Sequence, residues 1–352
     1  MSLSRSIPDQ CRRQAGWCVS LGSPLYGDLL ARCADAYEKG GALRTLLQPH
    51  ENDSESSALP LRLMGSVHRL VLEAKANELA RFYPSVGGNV DFGGAWIAFA
   101  STVEQHASSL RQLINNPVQT NDVGRSGSLL GGFGVIAERT RLPLRLLEIG
   151  ASAGLNLCWD QYRYDWPTGG WGNVSSAVRL EGVFVGEVPF IPPAIKVIER
   201  AACDLSPIEI RNDTGKLTLL SYIWPDQQDR INRLKAAISM AGAVPYVVEK
   251  AHGGDWLPKR LEKFFDRATT VVFHSLVWQY ISESERESIA RTIEEAGARA
   301  SAHAPLAWLR LEPNNKRFEI RLRLYPGFEE HLLATTGPHA PSVRWSLSVR
   351  TP

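Results

Sequence analysis

Residues 146–156, Leu-Leu-Glu-Ile-Gly-Ala-Ser-Ala-Gly-Leu-Asn, constrain the fold of this chain more than any other stretch. An apolar run ends around Glu148 and passes into a turn in which Gly150, Ser152 and Gly154 alternate with Ala151 and Ala153. This pattern reads as a buried strand, a turn of small residues and then a helix. Such a turn lets backbone approach a nucleotide-like ligand closely. It equally suits a tight strand-to-helix crossing with no ligand, so the surrounding chain has to discriminate.

From about Val118 onward, apolar β-type runs alternate with helical ones, the order expected of a mostly parallel sheet with crossover helices. Helix 128–139 precedes strand 144–149. Residues 177–190 suggest one or two extra strands, forming an inserted pair near 170–192. Strand 195–203, helix 226–241, strands 246–249 and 269–274, helix 283–297 and strand 306–311 come next. Residues 318–325 and 343–349 alternate as antiparallel strands do. Before Val118 the pattern is helical: Leu61, Met64, Val67, Leu70, Val71, Ala74, Leu79 and Phe82 form one stripe closed by Tyr83-Pro84, and a further helix is expected over 94–114. The expectation is therefore an α/β protein with a helical region over 1–118, serving as lid or substrate side, and an α/β domain over 119–352.

Composition excludes several partner classes. Lys plus Arg number 39 and Asp plus Glu 37, which gives no reason to expect nucleic acid or an acidic membrane surface; a small-molecule substrate fits better. The five cysteines are spread out with no metal-ligand spacing, as reduced thiols of a cytoplasmic protein would be. No run of about 18 apolar residues occurs.

Parallel strands with helices, closed by an antiparallel pair, resemble the element order of class I S-adenosylmethionine-dependent methyltransferases. The resemblance implies a Rossmann-like core with a seven-stranded mixed sheet whose last strand is antiparallel. Within it, Glu148, Gly150, Ser152, Gly154 and Asn156 fall on the cofactor turn, with Ser152 standing where the family has its middle glycine. The turn then cradles the methionine part of the cofactor, and Glu148 acts on its amino group. A carboxylate ending the second strand suits the two ribose hydroxyls. Asp204 is the best match, although it lies far beyond the usual spacing of about 20 residues; alternatively it starts an Asx turn before Pro207. Asp255 and Trp256 match the pair that meets adenine, and Asp255 could equally cap a helix.

His274 ends the fourth strand and can serve as a general base near neutral pH, with Tyr280 as a second choice and Trp278 walling the acceptor pocket. A histidine satisfied inside the core is the competing reading. Asn121 and Arg125, in the polar loop 119–126, could present polar groups to a carboxylate. Glu312-Pro313-Asn314-Asn315 and Gly337-Pro338-His339 could line a cleft.

Together QTNDVGR (119–125), LLEIGASAGLN (146–156), CDLSP (203–207), YIWPDQQDR (222–230), FHSLVWQY (273–280), WLRLEP (308–313) and GPH (337–339) resemble a bacterial domain-of-unknown-function family of about this length with a methyltransferase-like core. The expected activity is methyl transfer from S-adenosylmethionine to a small or medium-sized acceptor. Two alternatives stand beside it. One is a non-catalytic ligand-binding protein on the same scaffold. The other is a serine hydrolase using Ser152, because residues 150–154 match G-x-S-x-G.

Overall fold

The structure, a computed structural model, describes residues 6–263, 265–314, 317–327, 329–337 and 342–346. Asn315, Pro338, His339 and residues 347–349 lie outside these. In chain order come α1 (Ile7–Ser20), α2 (Pro24–Lys39), α3 (Ala42–Leu47), α4 (Leu59–Leu72), α5 (Asn77–Ala80), α6 (Phe92–Gln105), α7 (Ala107–Leu113) and α8 (Gly124–Thr140). Then follow β1 (Leu144–Ile149), β2 (Arg163–Trp166), β3 (Gly169–Gly172), β4 (Arg179–Leu180), β5 (Val197–Asp204), α9 (Asp213–Ser221) and α10 (Gln228–Ala241). Last are β6 (Val247–Lys250), α11 (Gly253–Leu261), β7 (Thr269–Ser275), α12 (Glu283–Arg299), β8 (Leu306–Asn314), β9 (Arg317–Tyr325), β10 (His331–Thr336) and β11 (Val343–Trp345).

The chain forms two compact units, residues 1–120 with 209–234, and residues 121–208 with 235–352. The segment 209–234, expected with the α/β part, thus belongs to the helical unit. Its Trp224 joins the helical core beside Leu29, Leu63, Tyr83 and Phe99. Two expected long helices are each broken. The 61–82 stripe stops at Leu72 because Ala74 turns left-handed at φ 55°, with the Lys75 amide closing on the Leu70 carbonyl. The 94–114 stretch divides at His106 into α6 and α7.

His68 on α4 is fully buried in this unit. Its Nδ1 lies 3.1 Å from the Ser221 carbonyl, which can only accept, so that nitrogen carries the proton; Nε2 takes the Ser85 hydroxyl at 2.8 Å. Burial lowers its pKa from 6.5 to about 4, opposed by the backbone carbonyls at Ser221 and Ile223. Between those values the unfolded chain binds a proton that the folded chain refuses, so stability falls as pH drops below 6.5. About 2 kcal/mol should be lost between pH 7 and 5. Urea unfolding at the two pH values checks this, and the loss should shrink in His68→Gln.

The second unit is an α/β fold around an eight-stranded mixed sheet in the order β11-β10-β9-β8-β7-β1-β5-β6. Strands β6, β5, β1, β7 and β8 run parallel, while β9, β10 and β11 continue as an antiparallel meander. The count is eight, not seven, because residues 331–336 add a strand between the two antiparallel ones read from the sequence. Every residue of β1 and β7 is buried, as strands covered on both faces require. From β1 the chain steps out to β5 and β6, then returns across β1 to β7 and β8. The carboxyl ends of β1 and its neighbours therefore form a topological switch point, where open α/β sheets bind ligands.

The insertion between β1 and β5 is a separate three-stranded sheet, β3-β2-β4. It begins at Arg163, earlier than expected, and residues 181–196 contribute an isolated bridge from Phe184 to Val343 in place of a longer strand. No helix among the described residues is long and apolar enough to cross a membrane. All five cysteines are buried and free.

Candidate functional site

The small-residue turn is stitched to the end of β5. Gly150, Ser152 and Gly154 all have positive φ, at 69°, 54° and 73°. The amides of Gly150 and Ala151 donate to the Cys203 carbonyl, at 2.9 and 3.2 Å. The Ser152 amide donates to Asp204 Oδ2 at 2.8 Å, and Asp204 Oδ1 accepts the Ser206 amide at the same distance. Asp204 therefore clamps two backbone segments and makes the Asx turn as well as facing the switch point. Ser152 holds a left-handed conformation that costs a non-glycine residue about 1 kcal/mol. The Asp204 bond and the Ile208 amide on the Ser152 carbonyl, at 3.1 Å, secure it there.

The glycines serve packing too. A Cβ on Gly150 would collide with the Val277 side chain, and one on Gly154 with the Tyr246 ring. The Tyr246 hydroxyl donates to the Ala153 carbonyl at 2.9 Å. The turn leads into a 3-10 helix over Leu155–Gln161, not an α-helix. The carbonyls of Leu155 and Trp159 accept the hydroxyls of Tyr162 and Tyr164, at 2.5 and 2.7 Å.

The polar loop before α8 does reach this turn. Asn121 Oδ1 accepts the Leu155 amide at 2.9 Å, Asn156 Oδ1 accepts the Ser126 hydroxyl at 2.7 Å, and Asp122 Oδ1 accepts the Gly124 amide at the start of α8, at 3.0 Å. The Arg125 guanidinium donates to the Ser275 carbonyl at the end of β7, at 3.2 Å. Glu148, on β1, is 2% exposed, and its Oε2 makes no hydrogen bond among the described residues. Burial pushes its carboxyl well above the ordinary range; Arg125 pulls it down and Asp204 pushes it up.

His274 occupies a different position from the one a base requires. It is fully buried, with Nδ1 donating to Glu312 Oε1 at 2.6 Å and Nε2 accepting the Trp308 indole N–H at 3.2 Å. Trp278 stacks on its ring at 4.4 Å between centroids and an interplanar angle of 10°. Indole N–H only donates, so Nε2 carries no proton and already spends its lone pair. The competing reading of a satisfied core histidine is the one the geometry matches. Glu312 also accepts the amides of Val277 and Trp278, at 3.2 and 3.3 Å. It thereby holds the loop that packs Val277 on Gly150.

Trp256 is buried in the core with Leu147, Ile149, Ile289 and Trp308, its indole N–H on Glu249 at 2.8 Å. Asp255 is exposed in the first turn of α11, which begins at Gly253 after the cap residue His252, so it is not the N-cap. Tyr280 is 56% exposed.

Sequence reasoning missed the structural weight of Glu312, Val277 and Tyr246. A carboxylate and a histidine ending successive parallel strands were the available signal for Glu312; nothing in the sequence marked the other two.

No curated protein and no solved structure matches the chain. A family model described as an uncharacterized protein conserved in bacteria (DUF2332) matches residues 8–345. With nearly its whole length inside that match, the chain belongs to this bacterial family.

Proposed function

We propose that the α/β unit binds S-adenosylmethionine at the switch point and directs its methyl group to a small or medium-sized acceptor. The observation that carries this reading is the placement of Asp204. It ends β5 immediately beside the turn that ends β1, which is where a ribose-binding carboxylate has to sit. Each Asp204 oxygen accepts one backbone amide and keeps capacity for a hydroxyl. Glu148 supplies a buried carboxyl oxygen for the amino group of the methionine part, and Asp255 an exposed acceptor for the adenine amino group.

Bound there, the cofactor supplies a methyl already activated on sulfonium. The residues of this chain then contribute alignment and exclusion of water. His274 takes no proton in this scheme, since both its nitrogens are engaged, so the acceptor has to be nucleophilic without it.

A non-catalytic binding role shares the same premise, and Val277 and Tyr246, which fill the space against Gly150 and Gly154, weigh against close approach of a ligand to those glycines in either role. Calorimetry with millimolar S-adenosylmethionine and S-adenosylhomocysteine tests the shared premise, with saturable heat expected for both. Absence of heat for either ligand overturns the cofactor reading. Binding without cofactor consumption in the presence of thiol, amine and carboxylate acceptors selects the non-catalytic role.

A further inference from the structure

Immediately after β7, one residue stands in a backbone conformation that L side chains avoid. Leu276 has φ 54°, in the left-handed region. Strained backbone of this kind persists only where its surroundings enforce it. Here they do so on both sides. The Leu276 amide donates to the Leu311 carbonyl on β8 at 2.9 Å, and the Ser275 carbonyl before it accepts Arg125 at 3.2 Å. Beyond it, Glu312 accepts the amides of Val277 and Trp278, and the Trp278 ring lies stacked on His274.

The result of this enforced bend is that the Val277 side chain rests on Gly150, so closely that a Cβ built on the glycine would overlap Val277 Cγ2. The contact borders solvent. Gly150, Leu276 and Val277 are half-buried, and Gln279 and Tyr280 are exposed. Val277 can therefore leave Gly150 without opening the core of the sheet.

We propose that residues 276–278 form a gate over the small-residue turn: Val277 closes Gly150, Glu312 is the catch that holds it there, and the strain at Leu276 favours its release. This rests on the cofactor reading above and adds how a ligand reaches a turn that side chains already fill. Opening is a rotation of the Leu276–Val277 peptide as Leu276 returns to an ordinary φ. It breaks the 3.2 Å bond from the Val277 amide to Glu312 and carries the side chain off Gly150. The buried His274 acts as a positioning residue, since its Nδ1–H fixes the Glu312 carboxylate at 2.6 Å. The measured affinity is then that of the open form, reduced by the fraction of molecules that are open.

Two substitutions with opposite expected signs test the gate by calorimetry with S-adenosylhomocysteine. Val277→Ala removes the methyl groups that meet Gly150 and should bind several-fold more tightly than wild type. Leu276→Gly is at ease with positive φ, loses the strain that favours release, and should bind several-fold more weakly. A merely structural role would move both variants in the same direction.

A second readout needs no variant. Hydrogen exchange of the wild-type protein, followed by mass spectrometry over residues 275–282, should be faster at the Val277 amide with S-adenosylhomocysteine bound, because its bond to Glu312 is broken. Equal affinities in the three proteins, variants that shift in one direction, or slower exchange at Val277 on binding overturns the gate and leaves the cofactor reading intact. No heat with the wild type overturns the cofactor reading and the gate with it.

Discussion

Asp204→Ala is expected to abolish measurable S-adenosylmethionine binding and to cost the α/β unit about 2–3 kcal/mol. The stability loss follows from the two amides the carboxylate accepts, from Ser152 and Ser206, each at 2.8 Å. Bonds to a charged acceptor contribute about 1.5–3 kcal/mol apiece, and partial exposure of Asp204 screens some of that. Without the clamp, Ser152 has less reason to stay at φ 54°, so the turn should relax and take the neighbouring glycines with it. Asp204→Asn separates the two roles. One amide oxygen can still accept, which preserves roughly half the stability, while the paired acceptor geometry for vicinal hydroxyls is lost. Urea unfolding and calorimetry on both variants check this. Unchanged ligand affinity in Asp204→Asn would remove Asp204 from the proposed site.

Glu312→Ala should be the most destabilising single change at the carboxyl edge of the sheet, at about 4 kcal/mol. It strands the Nδ1–H of a fully buried histidine and the amides of Val277 and Trp278 together. Leaving a buried donor unsatisfied costs about 1–3 kcal/mol apiece, and three donors are stranded here. For a unit of this size the corresponding drop in Tm is roughly 10 °C. Glu312→Gln should lose about half as much, since its oxygen still receives His274 while its amide N–H2 opposes the Trp278 N–H. Differential scanning calorimetry distinguishes the two. A Tm for Glu312→Ala within a degree or two of wild type would mean that the β7–β8 edge is held by packing and not by this carboxylate.

Much of the α/β order was legible in the sequence. The strands at 144–149, 246–249, 269–274 and 306–311 reappear within a few residues, because apolar β-type runs between polar turns are a local signal. The polar loop 119–126 stands out in the sequence and does meet the turn, through Asn121 and Ser126, while Arg125 reaches the end of β7. The features that the pattern did not reveal have identifiable causes. The strand at 331–336, which makes the sheet eight-stranded, pairs with β9 and β11 and lacks a sharp apolar alternation. The 3-10 helix at 155–161 depends on tyrosine hydroxyls that reach back to its carbonyls. The grouping of 209–234 with the helical unit depends on Trp224 entering a core built by residues far earlier in the chain.

By itself, the sequence determined the parallel strands, the small-residue turn and the presence of acids and a histidine near the strand ends. Each of these is a matter of local periodicity or backbone freedom, readable within a dozen residues. Only the tertiary structure decided what those groups do. His274 is sealed by Glu312 and Trp308, Asp204 is committed to the Ser152 amide, and Glu148 is buried with an oxygen left over. Proton affinity, hydrogen-bond occupancy and solvent access are set by neighbours that the fold brings from distant parts of the chain, and no local pattern carries that information.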